Sequence, residues 1–342
     1  MEWLDCENLR MVLNDFMPSV GDLFVQMFYE LMAGEEISLL YALPELLREI
    51  TMKNLRDLSG SCLMLLLIGI LSAMLSHLSA AFKEKGIGEA AIFFCYLSGC
   101  GLLLQLFYTM AETAVSLVGT LVGFTEVMIP IFYFAVAMTR RVGTAAGFYQ
   151  LNLLLLYAVE VIIPEVVIPL VSAFTYLSIL SGLSGDDIFS GFLKLLKKVL
   201  SMLQKSALLV VSGAGVMKKI LHGATDGMNL TVWQKTFGAM PAVGDLSEAV
   251  TSILLGSSVL IKNGLGFTIF ILVIFLVITP LMKMFMIALL LQLISAMIGI
   301  FGDKRFSVCV ERISAAGFML LKSCVCCISV FLIVIALVCV SF

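Results

Sequence analysis

Long apolar stretches separated by short polar turns dominate the chain after residue 58. A transmembrane helix needs about 20 apolar residues to cross a hydrocarbon core of roughly 30 Å. Apolar residues here are continuous instead of alternating with a period of two, which favours helices over the strands of a barrel. This rule predicts a first membrane block at 59–183, with spans near 59–82, 89–111, 113–138, 144–163 and 165–183.

Residues 1–58 show a different pattern, in which apolar and charged residues recur at helical spacing. One predicted face carries Leu39, Leu43, Leu46, Leu47 and Ile50, and the opposite face carries Glu45, Arg48, Glu49 and Lys53. Pro44 fits the first turn of such a helix. We predict an amphipathic amino-terminal region outside the hydrocarbon core. Residues 1–20 lack the pattern of a secretory signal, so the first span is expected to direct its own insertion, unless the start of the gene is missing.

The segment 184–246 combines a basic helix with a Gly-rich loop that begins near residue 206. Apolar residues recur at helical spacing at Phe189, Phe192, Leu193, Leu196, Val199, Leu200 and Leu203. The opposite face carries Lys194, Lys197, Lys198 and Lys205. This pattern is typical of a helix lying in the membrane interface. The lysine face is either a connector attracted to anionic lipid or a docking surface for a partner.

The second membrane block, 247–342, is predicted to contain a re-entrant or broken helix. Asp245 and Glu248 form a capping box, so a helix is expected to start there. It would run from 247 to 261, too short to cross a bilayer, and end at Lys262-Asn263-Gly264. The run 265–300 is too long for one straight span, and Pro280 and Lys283 are expected to kink or divide it.

A last span is predicted from about 313 to 340. The sequence therefore predicts an all-α, polytopic membrane protein with about seven to eight membrane segments.

Composition excludes several functional classes. Of the 342 residues, 61% are hydrophobic and 13% charged, about half the charged fraction of soluble domains. Residues 1–58 carry eleven acids and four bases, and the rest carries thirteen acids and seventeen bases. No block is basic enough to indicate nucleic-acid binding.

The basic turns at Lys83–Lys85 and Arg140–Arg141 are predicted to be cytoplasmic, which would place the amino-terminal region outside.

The motifs of common enzymes and metal sites are absent from the sequence. No phosphate-binding loop, His-Glu-x-x-His helix or catalytic Ser, His and Asp set occurs. Most of the nine cysteines lie in apolar runs, where Cys behaves as a small hydrophobic residue. We therefore predict a protein that is not an enzyme and needs no metal or cofactor.

Charged residues within apolar segments are the main chemical signal, because each costs about 2.5–3.5 kcal/mol at mid-bilayer on insertion scales. Lys262, Lys283 and Lys322 are such residues. Each either extends its amine to the interface or lines a water-filled path. The candidate pore or packing residues are Gly256, Ser257, Ser258, Lys262, Asn263, Gly264 and Lys283.

The run from Pro241 to Val250, continuing through Leu255-Gly256-Ser257-Ser258 and Leu260 to Gly264, resembles the stage III sporulation protein AE signature. The general layout agrees from about residue 25 onward. The resemblance implies a membrane subunit of the channel complex that links mother cell and forespore and supports late forespore development. It would lie in the mother-cell membrane around the forespore.

The partners implied are an ATPase in trans, ring-forming subunits, small membrane proteins and membrane lipid. The family has no assigned catalytic residues. A free-standing secondary transporter, with a solute site near Lys262, is the alternative function.

Overall fold

The computed structural model describes residues 26, 30, 38–81, 85–139, 150, 154, 157–158, 161–184, 189–206, 244–301 and 304–340. The regular elements within these ranges are helical, which confirms the all-α prediction. They are α1 (Ser38–Ala81), α2 (Lys85–Thr139), a π-helical turn (Ile163–Val167) that continues into α3 (Ile168–Ser184), α4 (190–206), α5 (Gly244–Phe301) and α6 (Lys304–Val340).

Five of the described helices are long and apolar enough to cross a membrane. Their candidate spans are Leu47–Leu78, Ala90–Met128, Ile163–Gly182, Gly266–Ile300 and Lys304–Leu332. The prediction of seven to eight membrane segments is not confirmed. The span predicted at 144–163, the Gly-rich loop after residue 206 and the turns at Lys83 and Arg140–Arg141 fall largely or wholly outside the described residues.

The spans predicted at 89–111 and 113–138 form one helix, α2, of 55 residues. Glu112, the residue between these two predicted spans, is exposed on the surface of this helix. A charged side chain does not interrupt backbone hydrogen bonding, so a single polar residue is a weak signal for a helix end. The candidate span of 39 residues in α2 is about 58 Å long. It is therefore roughly twice as long as a hydrocarbon core is thick.

The break predicted at Lys262-Asn263-Gly264 is wrong, because α5 continues through these residues and through Pro280 for 58 residues. Lys and Asn keep their backbone hydrogen bonds in a helix, and one interior Gly costs only about 1 kcal/mol. Helix α5 begins at Gly244, so the start predicted at Asp245 is confirmed.

The amphipathic amino-terminal pattern and the first span also belong to one helix, α1, which passes through residues 58 and 59. Pro44 lies inside α1 instead of in its first turn, because the helix already begins at Ser38. The charged residues Arg48, Glu49 and Lys53 are exposed, whereas Leu47 and Ile50 are partly buried. These residues keep their predicted faces within a longer helix, whereas the side chains of Leu39, Leu43 and Leu46 lie outside the described residues.

The core lies where α5 packs against α6, α2 and α1, and where α6 also packs against α2 and α3. Fully buried side chains include Leu65 of α1, Leu103 of α2, Leu291 of α5 and Ile313 of α6. Glycines allow the closest approaches in this core. At Gly317 an added Cβ would lie 2.6 Å from Sδ of Met110 and 3.2 Å from Cβ of Ala288.

Candidate functional site

The predicted pore or packing residues are distributed along α5. Gly256, Ser257, Ser258, Lys262 and Asn263 lie in its amino-terminal part, and their side-chain environments fall outside the described residues. Gly264 is buried, and its carbonyl oxygen accepts a 2.9 Å hydrogen bond from Oγ1 of Thr268.

Lys283 is partly buried, 21 residues beyond Lys262 on the same continuous helix. This separation is about 32 Å along the helix axis. The structure therefore does not bring Lys262 and Lys283 together in one site.

The basic helix predicted within the segment 184–246 is present as α4, and it is amphipathic. Leu193, Leu196 and Leu200 are buried. The four predicted lysines, Lys194, Lys197, Lys198 and Lys205, are all exposed. Phe192 was placed with the apolar face, but 53% of its surface is exposed. The outer surface of α4 therefore carries both lysines and large apolar side chains.

A cleft of about 310 Å³ with polar and apolar walls lies between α4, α5 and α6. Its polar lining comes from Lys197, Ser201, Gln204, Gln292, Glu311 and Lys322. Leu200, Phe318 and Met319 form apolar parts of its wall. The cleft therefore combines two ammonium groups, one carboxylate, two amides and a hydroxyl beside apolar surface.

Gln204 joins α4 to α6 at the wall of this cleft. The residue is buried, and its Nε2 donates to Oγ of Ser323 at 2.8 Å and to the carbonyl oxygen of Met319 at 3.2 Å. Separately, the thiol of Cys326 donates to the backbone carbonyl oxygen of Gln204 at 3.5 Å. A buried amide with these partners fixes the relative position of the two helices, because displacing it would leave polar groups without partners.

Two further polar contacts hold α6 against α5 and α3. The hydroxyl of Ser314 donates to the carbonyl oxygen of Ala288 at 2.8 Å or to Oε1 of Gln292 at 3.1 Å. With its Oε1 facing Ser314, Gln292 keeps Nε2 as a donor. Arg312 donates from Nη1 to Oγ of Ser181 on α3 at 3.0 Å. The cleft is therefore built on helices whose packing is fixed by specific hydrogen bonds.

Sequence reasoning identified Lys197 and Lys322 separately but missed Gln204, Gln292 and Glu311. The spacing of Glu311 and Lys322 could have indicated that both residues lie on the same face of one helix. Eleven residues correspond to about three helical turns, so these two side chains lie on one face of α6, roughly 16 Å apart along its axis. Within the described part of the chain, no group of three His, Cys, Asp or Glu side chains is placed to hold a metal ion.

The long apolar helices and their buried helix–helix contacts define a polytopic helical membrane protein. The family model described as stage III sporulation protein AE matches residues 11–341. The chain belongs to the stage III sporulation protein AE family, and this membership fits a role in sporulation. The resemblance found in the run from Pro241 to Gly264 is thereby confirmed.

A curated relative is the stage III sporulation protein AE of Bacillus subtilis (strain 168), which is 24% identical over 251 residues. The alignment covers 73% of this chain and 63% of the relative, which is less than two thirds of the relative's length. No solved structure matches the chain.

Proposed function

We propose that this chain is a non-enzymatic membrane subunit of a channel or secretion-like complex that links mother cell and forespore. In this role it would lie in the mother-cell membrane around the forespore and support late forespore development. The observation that carries the proposal is the family match, which extends over residues 11–341. The five apolar helices agree with a subunit embedded in a membrane.

The partners in this proposal are an ATPase acting in trans, ring-forming subunits and small membrane proteins. A surface for such partners requires side chains that the helix packing leaves free. The lysines of α4 meet this requirement, because Lys194, Lys198 and Lys205 are exposed while the leucines of the same helix are buried. A complementary acidic surface on a partner would pair with them, and such contacts influence association rates and partner choice more than affinity.

The alternative is a secondary transporter with a solute site near Lys262, and a broken helix at that position would favour it. Broken helices form transporter sites because their free backbone groups bind ions and substrates at mid-membrane. Helix α5 has no break at this position, so its backbone groups there are used within the helix. We therefore favour the sporulation complex.

Deletion of the gene in its native host tests the proposal. Vegetative growth is expected to be normal, whereas spore yield falls and engulfed forespores lose volume when observed by fluorescence microscopy. Expression of the intact chain from a second locus should restore both properties. Normal spores in the deletion strain would contradict the proposal, and solute uptake by proteoliposomes containing this chain alone would support the transporter.

A further inference from the structure

The cleft between α4, α5 and α6 has the composition of a binding site for a small, singly charged anion attached to an apolar body. Lys197 and Lys322 contribute two positive charges, and Glu311 contributes one negative charge. The lining therefore has one net positive charge. Gln292 adds an amide donor, because its Oε1 faces the hydroxyl of Ser314.

The surface beside the cleft indicates where this anion would come from. On α5, Phe285 and Leu289 are 37% and 38% exposed, and they share a helix face with Gln292, which lines the cleft together with the lysines. A surface that presents both large apolar side chains and lysines is typical of the boundary between lipid headgroups and acyl chains. The cleft opens beside this apolar surface, because Phe318, which lines the cleft, packs against Phe285 with ring centroids 6.4 Å apart.

The walls of the cleft would also suit a lipid. Leu200, Phe318 and Met319 provide apolar contacts next to the charged groups. A volume of 310 Å³ equals that of about ten water molecules in the liquid, which is enough for a phosphate headgroup with its glycerol. A soluble phosphate would use the lysines but leave this apolar surface without a partner.

We propose that the cleft binds the headgroup of a phospholipid carrying one net negative charge, with Lys197 and Lys322 contacting its phosphate. Gln292 donates a further hydrogen bond. The carboxylate of Glu311 offsets one of the two lysine charges, so the site keeps one net positive charge, which balances the negative charge of one phosphodiester. The bound lipid fills the space between α4 and the α5–α6 pair. It thereby fixes the basic helix at the membrane interface.

Native mass spectrometry of the full chain in detergent, titrated with phosphatidylglycerol, tests this proposal. The first bound lipid is expected to bind saturably and at least about tenfold more tightly than phosphatidylcholine, since contacts to a charged group contribute roughly tenfold or more in affinity. The double variant Lys197→Gln with Lys322→Gln should lose that factor. Size-exclusion chromatography establishes that the variant is folded.

The matched control also removes two positive charges, but both come from positions on α4 that do not line the cleft. Lys194→Gln with Lys198→Gln is expected to keep the affinity of the first lipid within about twofold, because these lysines do not line the cleft. An equal loss in this control would overturn the proposal in favour of general attraction between a basic helix and anionic lipid.

Two further binding measurements distinguish a lipid headgroup from a free phosphate ion as the ligand of the cleft. Inorganic phosphate at millimolar concentration should not displace phosphatidylglycerol, and displacement would identify a site for a free anion instead. Equal affinity for phosphatidylcholine would also overturn the proposal, because the net charge of the ligand would then have no effect. These measurements use the isolated chain, so their failure would leave the proposed role in sporulation untouched.

Discussion

A close helix contact that the sequence conceals lies at Gly99 of α2, and substituting this residue provides a strong test of the fold. A Cβ at position 99 would overlap the Cζ and Cε2 atoms of Phe306 on α6 and lie 3.5 Å from Cγ2 of Ile68 on α1. Phe306 is fully buried, and its ring packs edge to face against Tyr96, with centroids 5.7 Å apart. Moving the ring away from an added Cβ would therefore disturb a buried contact.

The substitution Gly99→Ala is expected to destabilise the protein. Overpacking a well-packed core typically costs about 1–3 kcal/mol. Gly101, two residues further along the same helix, is the matched control, because an added Cβ there meets no atom within 4 Å. Ala in place of a helical Gly gains about 0.8–1 kcal/mol in aqueous hosts. Both variants gain this helix propensity, so they should differ in stability by the overpacking cost alone, roughly 1–3 kcal/mol, with Gly99→Ala the less stable.

Thermal stability in detergent, followed by fluorescence-detected size-exclusion chromatography, measures this difference. Gly99→Ala should lose its monodisperse peak at a lower temperature than the wild-type chain, and Gly101→Ala at the same or a higher temperature. A smaller side chain at position 306 should relieve the overlap, so Phe306→Leu should cost less in the Gly99→Ala background than in the wild-type chain. Equal stability of the two Gly variants would refute the close packing of α2 against α6 at this position.

Two other substitutions test the remaining parts of the structure. Gln204→Ala removes the donor to Ser323 and Met319 and should destabilise the α4–α6 contact by about 1–3 kcal/mol, whereas Gln105→Ala, at an exposed position on α2, should have no measurable effect in the same thermal assay. Lys262→Met should reduce spore yield while leaving membrane insertion intact if this residue lines an aqueous path. Normal sporulation of that variant would remove Lys262 from the candidate site without affecting the family assignment.

Helix type and approximate membrane location could be predicted from the sequence, but helix ends were harder to predict. Glu112 and the run from Lys262 to Gly264 resemble turns locally, yet α2 and α5 continue through them. A helix ends only when its backbone hydrogen bonds are better satisfied elsewhere, and polar side chains within it do not decide this. Neighbouring helices also compensate for an unfavourable residue by packing against it.

Sequence by itself determined that this chain forms apolar helices and carries one amphipathic basic helix, because both properties follow from the order of residues along a single segment. Only the tertiary structure decided which residues meet. Gln204 and Ser323 are separated by 119 positions, and Gly99 and Phe306 lie on different helices. These contacts depend on which side chains of two helices pack together. The periodicity of one segment does not identify the helix, or the residues of that helix, that will pack against it.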